Sequence, residues 1–558
     1  MPDKRVVDRR NFLITAATGV GVSTSVLTSS KCTAPEIRAT ASQHVHPVLI
    51  RNDRSDLIRV TVDVGEVGVH ATSFTFSLSG TNELEDIETL RLFYAGDNGP
   101  EELDHAHSGS SFSVDKRELL ADLTAAPFGE PSKPAAELTI SGDQVLRAGS
   151  NVFWLACKLR PIADLSHQVA TQCTMVETSA GAVSPNDATP GVRKRIGIAL
   201  REHYDDEVHT YRIPALATTP KGTLLCVYDM RRRQRRDLQE DIDIGLSRST
   251  DGGRTWDPPR VIMDMGEYNG LPQEENGCSD AGIVVDQETG DIFCGAMWMW
   301  GKLGKHQWDG DGSEPGYEIG KAAQFLMVQS TDDGLTWTKP ENMTRQLKKA
   351  DWILMAPSPE AGITLRDGTL ILPGQGRDEN DRRFSTLIVS RDHGSTWTVG
   401  SPSAVGNTEC QAVQLDDGSI MLNARTERPT GLRSVYVTKD LGQTWQTHPT
   451  HRKALIEPNC NGSLIRFDYQ EDGQPKHVLV FANPYSQTGR DHHSIQVSFD
   501  EGQTWPAEYR LLLDEGQGNG YPTLSQIDDR HVGIVYEGSQ AHLVFEKLSL
   551  DELLGGRG

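Results

Sequence analysis

One eight-residue pattern occurs five times between residues 249 and 505. It reads Ser249-Thr-Asp251-Gly-Gly253-Arg-Thr255-Trp256, Ser330-Thr-Asp332-Asp-Gly334-Leu-Thr336-Trp337, Ser390-Arg-Asp392-His-Gly394-Ser-Thr396-Trp397, Thr438-Lys-Asp440-Leu-Gly442-Gln-Thr444-Trp445 and Ser498-Phe-Asp500-Glu-Gly502-Gln-Thr504-Trp505. Copies 48 to 81 residues apart imply a chain that stacks one supersecondary unit repeatedly rather than folding as one irregular globule. Each residue type has a reason to be there. The Asp carboxylate accepts backbone N–H groups and closes a turn. The Gly admits a positive φ, and the Trp folds back to bury a large apolar face. Val-, Ile- and Leu-rich segments flank every copy, as a β-hairpin requires.

The repeat resembles the Asp box of sialidases, which sits at the hairpin between the outer strands of propeller blades. The resemblance implies an all-β chain built on a six-bladed β-propeller. It does not by itself imply an enzyme, because non-catalytic propellers also carry Asp boxes and function has to be read from a site.

The 558 residues suit a propeller with a companion domain. Residues 1–45 read as a twin-arginine-type export signal and a polar linker: Arg9-Arg10-Asn11-Phe12-Leu13 precedes an apolar run too short and too polar to span a membrane. The mature chain is therefore expected to be exported, to the periplasm or beyond the cell, with no transmembrane span. Cys32 follows Lys31 where a lipid-attachment site needs a small residue, so no lipid anchor is expected. Alternating segments at Val60–Val64, Phe74–Leu78, Leu90–Tyr94 and Val152–Leu155 indicate an antiparallel β-sandwich over 46–185. The propeller is placed at 195–550, where six blades take about 55 to 60 residues each; five boxes leave at least one blade without one. A net charge of −23 argues against nucleic acid and anionic membrane surfaces as partners. The eight cysteines have no metal-ligand spacing; disulfide pairing and buried free thiols both stay open. No metal or organic cofactor is implied.

The residues that carry chemistry are spread over some 350 positions. Tyr211-Arg212-Ile213-Pro214 resembles the Phe/Tyr-Arg-Ile-Pro motif of sialidases. Glu409 (Asn-Thr-Glu409-Cys), Arg425 (Asn423-Ala-Arg425), Arg490 (Gly489-Arg490-Asp491), Tyr521 (Gly520-Tyr521-Pro) and Glu537 (Tyr536-Glu537) follow in the family's order. The resemblance implies that Arg212, Arg425 and Arg490 bind the carboxylate of a sialic acid, that Tyr521 is the nucleophile, that Glu409 is its base and that Glu537 orients Arg212. The chemistry is coherent. Converging guanidinium groups suit a planar carboxylate. A carboxylate nucleophile would be repelled by the anionic sugar, and tyrosine is the known sialidase exception among retaining glycosidases. A phenol, with a pKa of about 10, needs a base beside it.

Asp237, 25 residues after Arg212, matches the family's acid/base and has Asp241 as its rival; Asp243 is expected to pair with strand neighbours. As a general acid Asp237 requires a raised pKa, yet Arg231, Arg232, Arg233, Arg235 and Arg236 act the other way. Arg231 matches a further active-site arginine, and the rest read as solvated loop charge. Asp280 matches a family residue on the glycerol or amino side of the sugar. Met297, Trp298 and Trp300 are either the wall for an N-acyl methyl or core packing. His492-His493 read as loop.

The expected activity is an exo-α-sialidase: retaining hydrolysis of terminal sialic acids from oligosaccharides, glycoproteins or glycolipids through a sialyl–tyrosine intermediate. The alternative is a non-catalytic Asp-box propeller that binds glycans or proteins. Transglycosylation or an anhydro-sugar product, linkage preference and oligomeric state are open at this level.

Overall fold

The computed structural model describes residues 37–555 other than 66, 97–124, 239, 269, 299–304 and 428–429. The arginine pair at 9 and 10, Cys32 and Trp300 lie outside the described residues. The chain is all-β: among the described residues only Thr344–Leu347 and Leu550–Leu553 form α-helices.

Two sheets come first, antiparallel except where Asn186–Asp187 runs parallel to Ile37–Ser42. One has the spatial order Asn186–Asp187, Ile37–Ser42, Ser55–Val64, Gly149–Leu159, Ile87–Gly96, Ala126–Ser132, and the other Gly181–Val183, Gln172–Thr178, His70–Ser77, Glu137–Val145. They face each other through Phe74 of the second sheet against Phe153 and Phe128 of the first, with centroids 4.5 and 5.2 Å apart. All four alternating segments of the sequence lie in these strands, and burial in Ser55–Val64 alternates as a one-sided strand requires. The stretch to residue 45 is not all linker, since Ile37–Ser42 pairs with Ser55–Val64 along its whole length.

Six further antiparallel sheets follow. Five are meanders in chain order, and their first strands are Thr210–Thr218, Cys278–Val285, Leu354–Pro357, Asn407–Gln414 and Ser463–Glu471. The sixth takes Pro522–Gln526, His531–Tyr536 and Leu543–Ser549 from the chain's end and Arg193–Arg201 from before the first sheet. Val48–Ile50 adds to Arg193–Arg201 in parallel. The first strands adjoin sheet to sheet, except that Asn407–Gln414 of the fourth sheet lies against Leu370–Arg377 of the third. Leu216 N donates to Thr523 Oγ1 at 2.9 Å between the first and sixth sheets, and Leu524 N to Ser463 Oγ at 2.9 Å between the sixth and fifth. Cys410 N donates to Ser358 Oγ at 2.8 Å between the fourth and third.

The five boxes each connect the third and fourth strands of a sheet. In the first, Asp251 Oδ1 accepts from Thr255 N at 2.9 Å, Oδ2 accepts from Thr255 Oγ1 at 2.6 Å, and Trp256 Nε1 returns to Gly253 O at 3.0 Å. The other four keep the same aspartate bonds. The box glycines have φ between +76° and +89°, which no side chain adopts cheaply. The sixth sheet carries no box.

The opposite ends of the sheets are irregular. Register breaks at Arg212/Ala215, Ser279/Gly282 and Asn407/Cys410, and φ is positive at Ile213 (+60°), Asp280 (+58°), Asn459 (+59°) and Gly520 (+98°). Such bulges re-aim a side chain, and a β-branched residue at positive φ marks real strain. In a meander the first strand begins, the second ends and the third begins at one edge. Arg212, Arg231, Asp237, Asp280, Glu409, Arg425, Arg490, Tyr521 and Glu537 all lie at this irregular edge.

Candidate active site

Tyr521 is 6% exposed and stands at the centre of the cluster. Its Oη donates to Glu409 Oε1 and accepts from Arg425 Nη1 at 3.0 Å. Arg425 Nη1 also donates to Glu409 Oε2 at 2.7 Å, and its Nε to Asn459 Oδ1 at 2.8 Å. The guanidinium carbons of Arg212 and Arg490 lie 5.3 and 5.5 Å from the Tyr521 ring centroid. Three arginines thus surround one phenol. Burial and the adjacent Glu409 push the Tyr521 hydroxyl well above its ordinary pKa, against the pull of Arg425 and Arg490, so the free protein holds a neutral phenol.

Arg212 is fixed by a two-toothed pair with Glu537: Nε to Oε1 at 2.9 Å and Nη2 to Oε2 at 3.0 Å. Glu537 also accepts from Ile213 N at 2.7 Å and Tyr521 N at 3.3 Å. One buried carboxylate therefore sets the positions of an arginine and of the phenol, through charge-assisted bonds. Arg490 is held by the carbonyls of Asn519 (2.8 Å) and Asn459 (3.4 Å). Its charge has no carboxylate partner among these bonds and is available to an anion.

Arg231, 1% exposed, organises the other half of the site. Its Nη2 donates to Asp229 Oδ2 at 2.9 Å and to Asp237 Oδ1 at 2.5 Å. Asp237 is 45% exposed in its side chain, and its other oxygen lies 3.8 Å from His306 Nε2. The expectation of a raised pKa at Asp237 is overturned for the free protein. Burial works against its charge, but Arg231, His306 and Arg212 outweigh burial and hold it below the ordinary carboxylate range. Its loop is anchored by Leu238, buried and at φ +56°, which packs with Met297 and Trp308. Asp241 faces Gln273 instead, at 3.2 Å.

Arg232 is not solvated loop charge. It pairs through Nε (2.9 Å) and Nη2 (2.6 Å) with Asp243, which is 2% exposed; Arg233 and Arg236 are exposed and pair with Glu274 and Glu240. Met297 and Trp298 are core residues, 0% and 1% exposed. His493 is likewise not loop: it opens the strand His493–Ser498 and is 2% exposed.

Three carboxylates share the space beside Arg231. Burial and the charges of Asp237, Asp229 and Glu409 push Asp280 well above the ordinary range, while burial moves Asp229 to about 6. Asp229 was not among the candidates. It accepts from Ser279 Oγ at 2.6 Å and Asp280 N at 3.2 Å, and the one signal for it is an acid inside the apolar strand Leu-Leu-Cys-Val-Tyr-Asp229. Glu360 was also missed. It is 0% exposed, takes Thr523 Oγ1 at 3.1 Å and sits pushed well above its ordinary pKa by burial.

Among the described residues one cluster, Asp416, His477 and Glu501, has the spacing of a metal site. Arg466 already stands against it, 2.8 Å from Asp416 and 3.8 Å from Glu501, and it lies at the opposite end of its strands from Glu409. The described cysteines are all free and buried.

Residues 36–181 match the model of the N-terminal domain of BNR-repeat neuraminidase, and 222–536 that of the BNR repeat-like domain. A sialidase of Bacteroides fragilis is 35% identical over 94% of this chain and 97% of its own length. The chain belongs to the sialidase family. The solved Hadza microbial sialidase Hz136 superposes with a TM-score of 0.83 at 34% identity, covering 92% of this chain and 99% of that one. A Micromonospora viridifaciens sialidase is 33% identical over 59% of this chain and 50% of its own. In this sialidase, then, the arginine-ringed phenol and the carboxylates around Arg231 sit within a framework shared along nearly the whole chain with Hz136.

Proposed function

We propose that this sialidase is a retaining exo-α-sialidase that acts on terminal sialic acids of oligosaccharides, glycoproteins or glycolipids. The observation that carries the proposal is Tyr521 bonded to Glu409 and Arg425 with Arg212 and Arg490 on its flanks. A sialoside places a carboxylate on the carbon that must react, and only a site rich in guanidinium groups offsets that charge. Arg212, Arg425 and Arg490 bind it. Tyr521 passes its proton to Glu409 and its oxygen attacks the anomeric carbon, while the glycosidic oxygen leaves with a proton from Asp237. Water then attacks the same carbon from the face the leaving group vacated, giving its proton to Asp237, and Tyr521 departs and recovers its proton from Glu409.

Asp237 is ionised in the free site. The bound carboxylate neutralises part of the arginine charge and the sugar excludes water, both of which raise its pKa. Asp280 and Arg231 line the sugar on the Asp237 side, and Glu537 orients Arg212.

The six C-terminal sheets are read as blades of one propeller over 195–550. Supporting this are the five boxes, the adjoining first strands and the 2.9 Å bond from Leu216 to Thr523 between first and last sheets. The sandwich accessory domain, expected at 46–185, also takes in Ile37–Ser42 and Asn186–Asp187, and the export signal and linker are placed before it. Among the described residues no helix is long and apolar enough to cross a membrane. The arginine pair at 9 and 10 directs the chain to the periplasm or beyond.

Incubation with a fluorogenic sialoside, with proton NMR of the first-formed sugar, tests the reading. Release of the α-anomer is expected. Release of the β-anomer first would exclude the tyrosyl intermediate, and absence of turnover would leave a binding protein.

A further inference from the structure

Tyr521 ends a stretch that reads Glu515-Gly516-Gln517-Gly518-Asn519-Gly520-Tyr521. Alternate glycines give this segment little stiffness of its own. They are required by packing: a Cβ on Gly518 would run into the Glu537 carbonyl, one on Gly516 would lie 2.5 Å from Ser539 Cβ, and Gly520 has φ +98°. The loop must therefore be held from outside. At its far end Gly518 N donates to Arg490 O at 3.0 Å and Gly520 N to Glu537 O at 3.1 Å. At its near end the hold comes partly from the N-terminal region. Glu515 N donates to Val45 O at 2.8 Å, and His44 Nδ1 bonds the Glu515 carboxylate. His44 is pinned in turn: its carbonyl accepts from Lys194 Nζ at 2.6 Å, on the strand that closes the sixth sheet.

The same N-terminal segment makes a second grip. After Val48–Ile50 pairs with Ile196–Ile198, Arg51 Nη1 donates to Ala199 O at 2.7 Å and Leu200 O at 3.1 Å, and its Nη2 to Asp205 Oδ2 at 2.8 Å. Asp205 O accepts from the hydroxyl of Tyr211 at 2.8 Å, and Tyr211 precedes Arg212.

We propose that residues 44–51 are a positioning element of the active site, with His44 and Val45 fixing the glycine-rich loop that presents Tyr521 and Arg51 fixing the turn that presents Arg212. This rests on the reading of Tyr521 as nucleophile and Arg212 as a carboxylate ligand. The N-terminal region then shapes the chemistry of the C-terminal sheets without touching substrate. The His44–Glu515 and Arg51–Asp205 pairs are partly exposed, at 40%/29% and 41%/18%, so they contribute little to global stability. Their loss is felt in placement.

The experiment uses the full-length protein with His44→Ala, His44→Gln, Arg51→Ala, Arg51→Lys and Tyr521→Phe, a fluorogenic sialoside and thermal melts. His44→Ala lowers kcat by about tenfold, as a slight misplacement of a reacting group does, with KM within about twofold. His44→Gln, which still donates to Glu515, recovers most of the rate. Arg51→Ala raises KM by about fivefold with a smaller change in kcat, because it loosens a group that binds rather than one that reacts. Arg51→Lys recovers part, having no planar fork to reach all three acceptors. Tm stays at the wild-type value throughout. Unchanged kcat and KM in both alanine variants overturn the proposal. So does a fall in activity that tracks a fall in Tm without the split between kcat and KM. Full activity in Tyr521→Phe defeats the underlying functional reading instead, and an inactive Tyr521→Phe beside unaffected His44→Ala and Arg51→Ala defeats only the positioning element.

Discussion

The two ends of the C-terminal sheets use the same residue type in opposite ways. At the box end, aspartates lie on the surface and are saturated by their own turns: Asp332 takes bonds from Thr336 N, Thr336 Oγ1 and Ser330 Oγ, and these hold its pKa down at about 2. At the site end, Asp229 and Asp280 are buried beside Arg231 and are pushed up by burial and by the charge of Asp237. The bonds that the five conserved box aspartates accept from their own turns span four residues or fewer. Those at the site end join residues 325 apart (Arg212–Glu537) and 112 apart (Tyr521–Glu409). One end is local chemistry repeated; the other is a constellation that exists only after the sheets have assembled. Substitutions at the two ends should therefore separate stability from activity.

The largest effect is expected at the phenol. Tyr521→Phe removes one oxygen from a packed ring, and stopped assays should show kcat lower by about 10³-fold or more with an unchanged melting temperature. Glu537→Ala comes next and breaks the contrast, because it strikes both properties. It strips Arg212 of its two-toothed partner and two backbone N–H groups of their acceptor. Leaving that largely buried charge unpaired should cost about 3 kcal/mol by denaturant titration, and KM for sialosides should rise. Glu537→Gln, which keeps an acceptor, should recover part of the stability and less of the binding. Asp251→Ala belongs to the other end. Melting should fall by at most a few degrees while kcat and KM stay as in the wild type; a kinetic change there would mean that the two ends are coupled.

This contrast also explains what could be read from the chain. The boxes were legible because Ser, Asp, Gly, Thr and Trp act on one another within eight residues, so pattern and geometry are nearly the same thing. The strands around Val60 and Phe74 were legible through their alternation. The nine candidate residues were chosen through a family resemblance joined to charge logic, and the meander explains why they share an edge. Asp229 escaped because an acid in an apolar strand looks like an irregularity until Ser279 and Asp280 reach it from the next sheet, and Glu360, in the bend after Leu354–Pro357, because its partner Thr523 comes from the sixth sheet. Arg232 was misread for the same reason: its partner Asp243 lies 11 positions away on the next strand, and a run of five arginines hides which one turns inward. The strand Ile37–Ser42 was missed because Ser, Thr and Ala give weak alternation, and pairing with Ser55–Val64 decides its state.

The smallest expected effect is also the sharpest test of the site end, because it concerns charge alone. His306 Nε2 stands 3.8 Å from the outer oxygen of Asp237, and the neighbouring ionisable groups are Arg231, Arg212, Asp229 and Asp280. A cation near an acid favours its ionised form, so His306, where protonated, lowers the pKa of Asp237. The general acid works protonated, and its activity is lost as pH rises through its pKa. His306→Gln removes one cation and keeps a hydrogen-bonding group, so the pKa of Asp237 in the substrate complex rises and the alkaline limb of kcat moves to higher pH. Because Arg231 remains at 2.5 Å, the shift should stay below about one pH unit, which corresponds to about 1.4 kcal/mol. A shift of the limb to lower pH would show that the imidazole instead supplies the proton through Asp237, making the outer oxygen a relay rather than the donor.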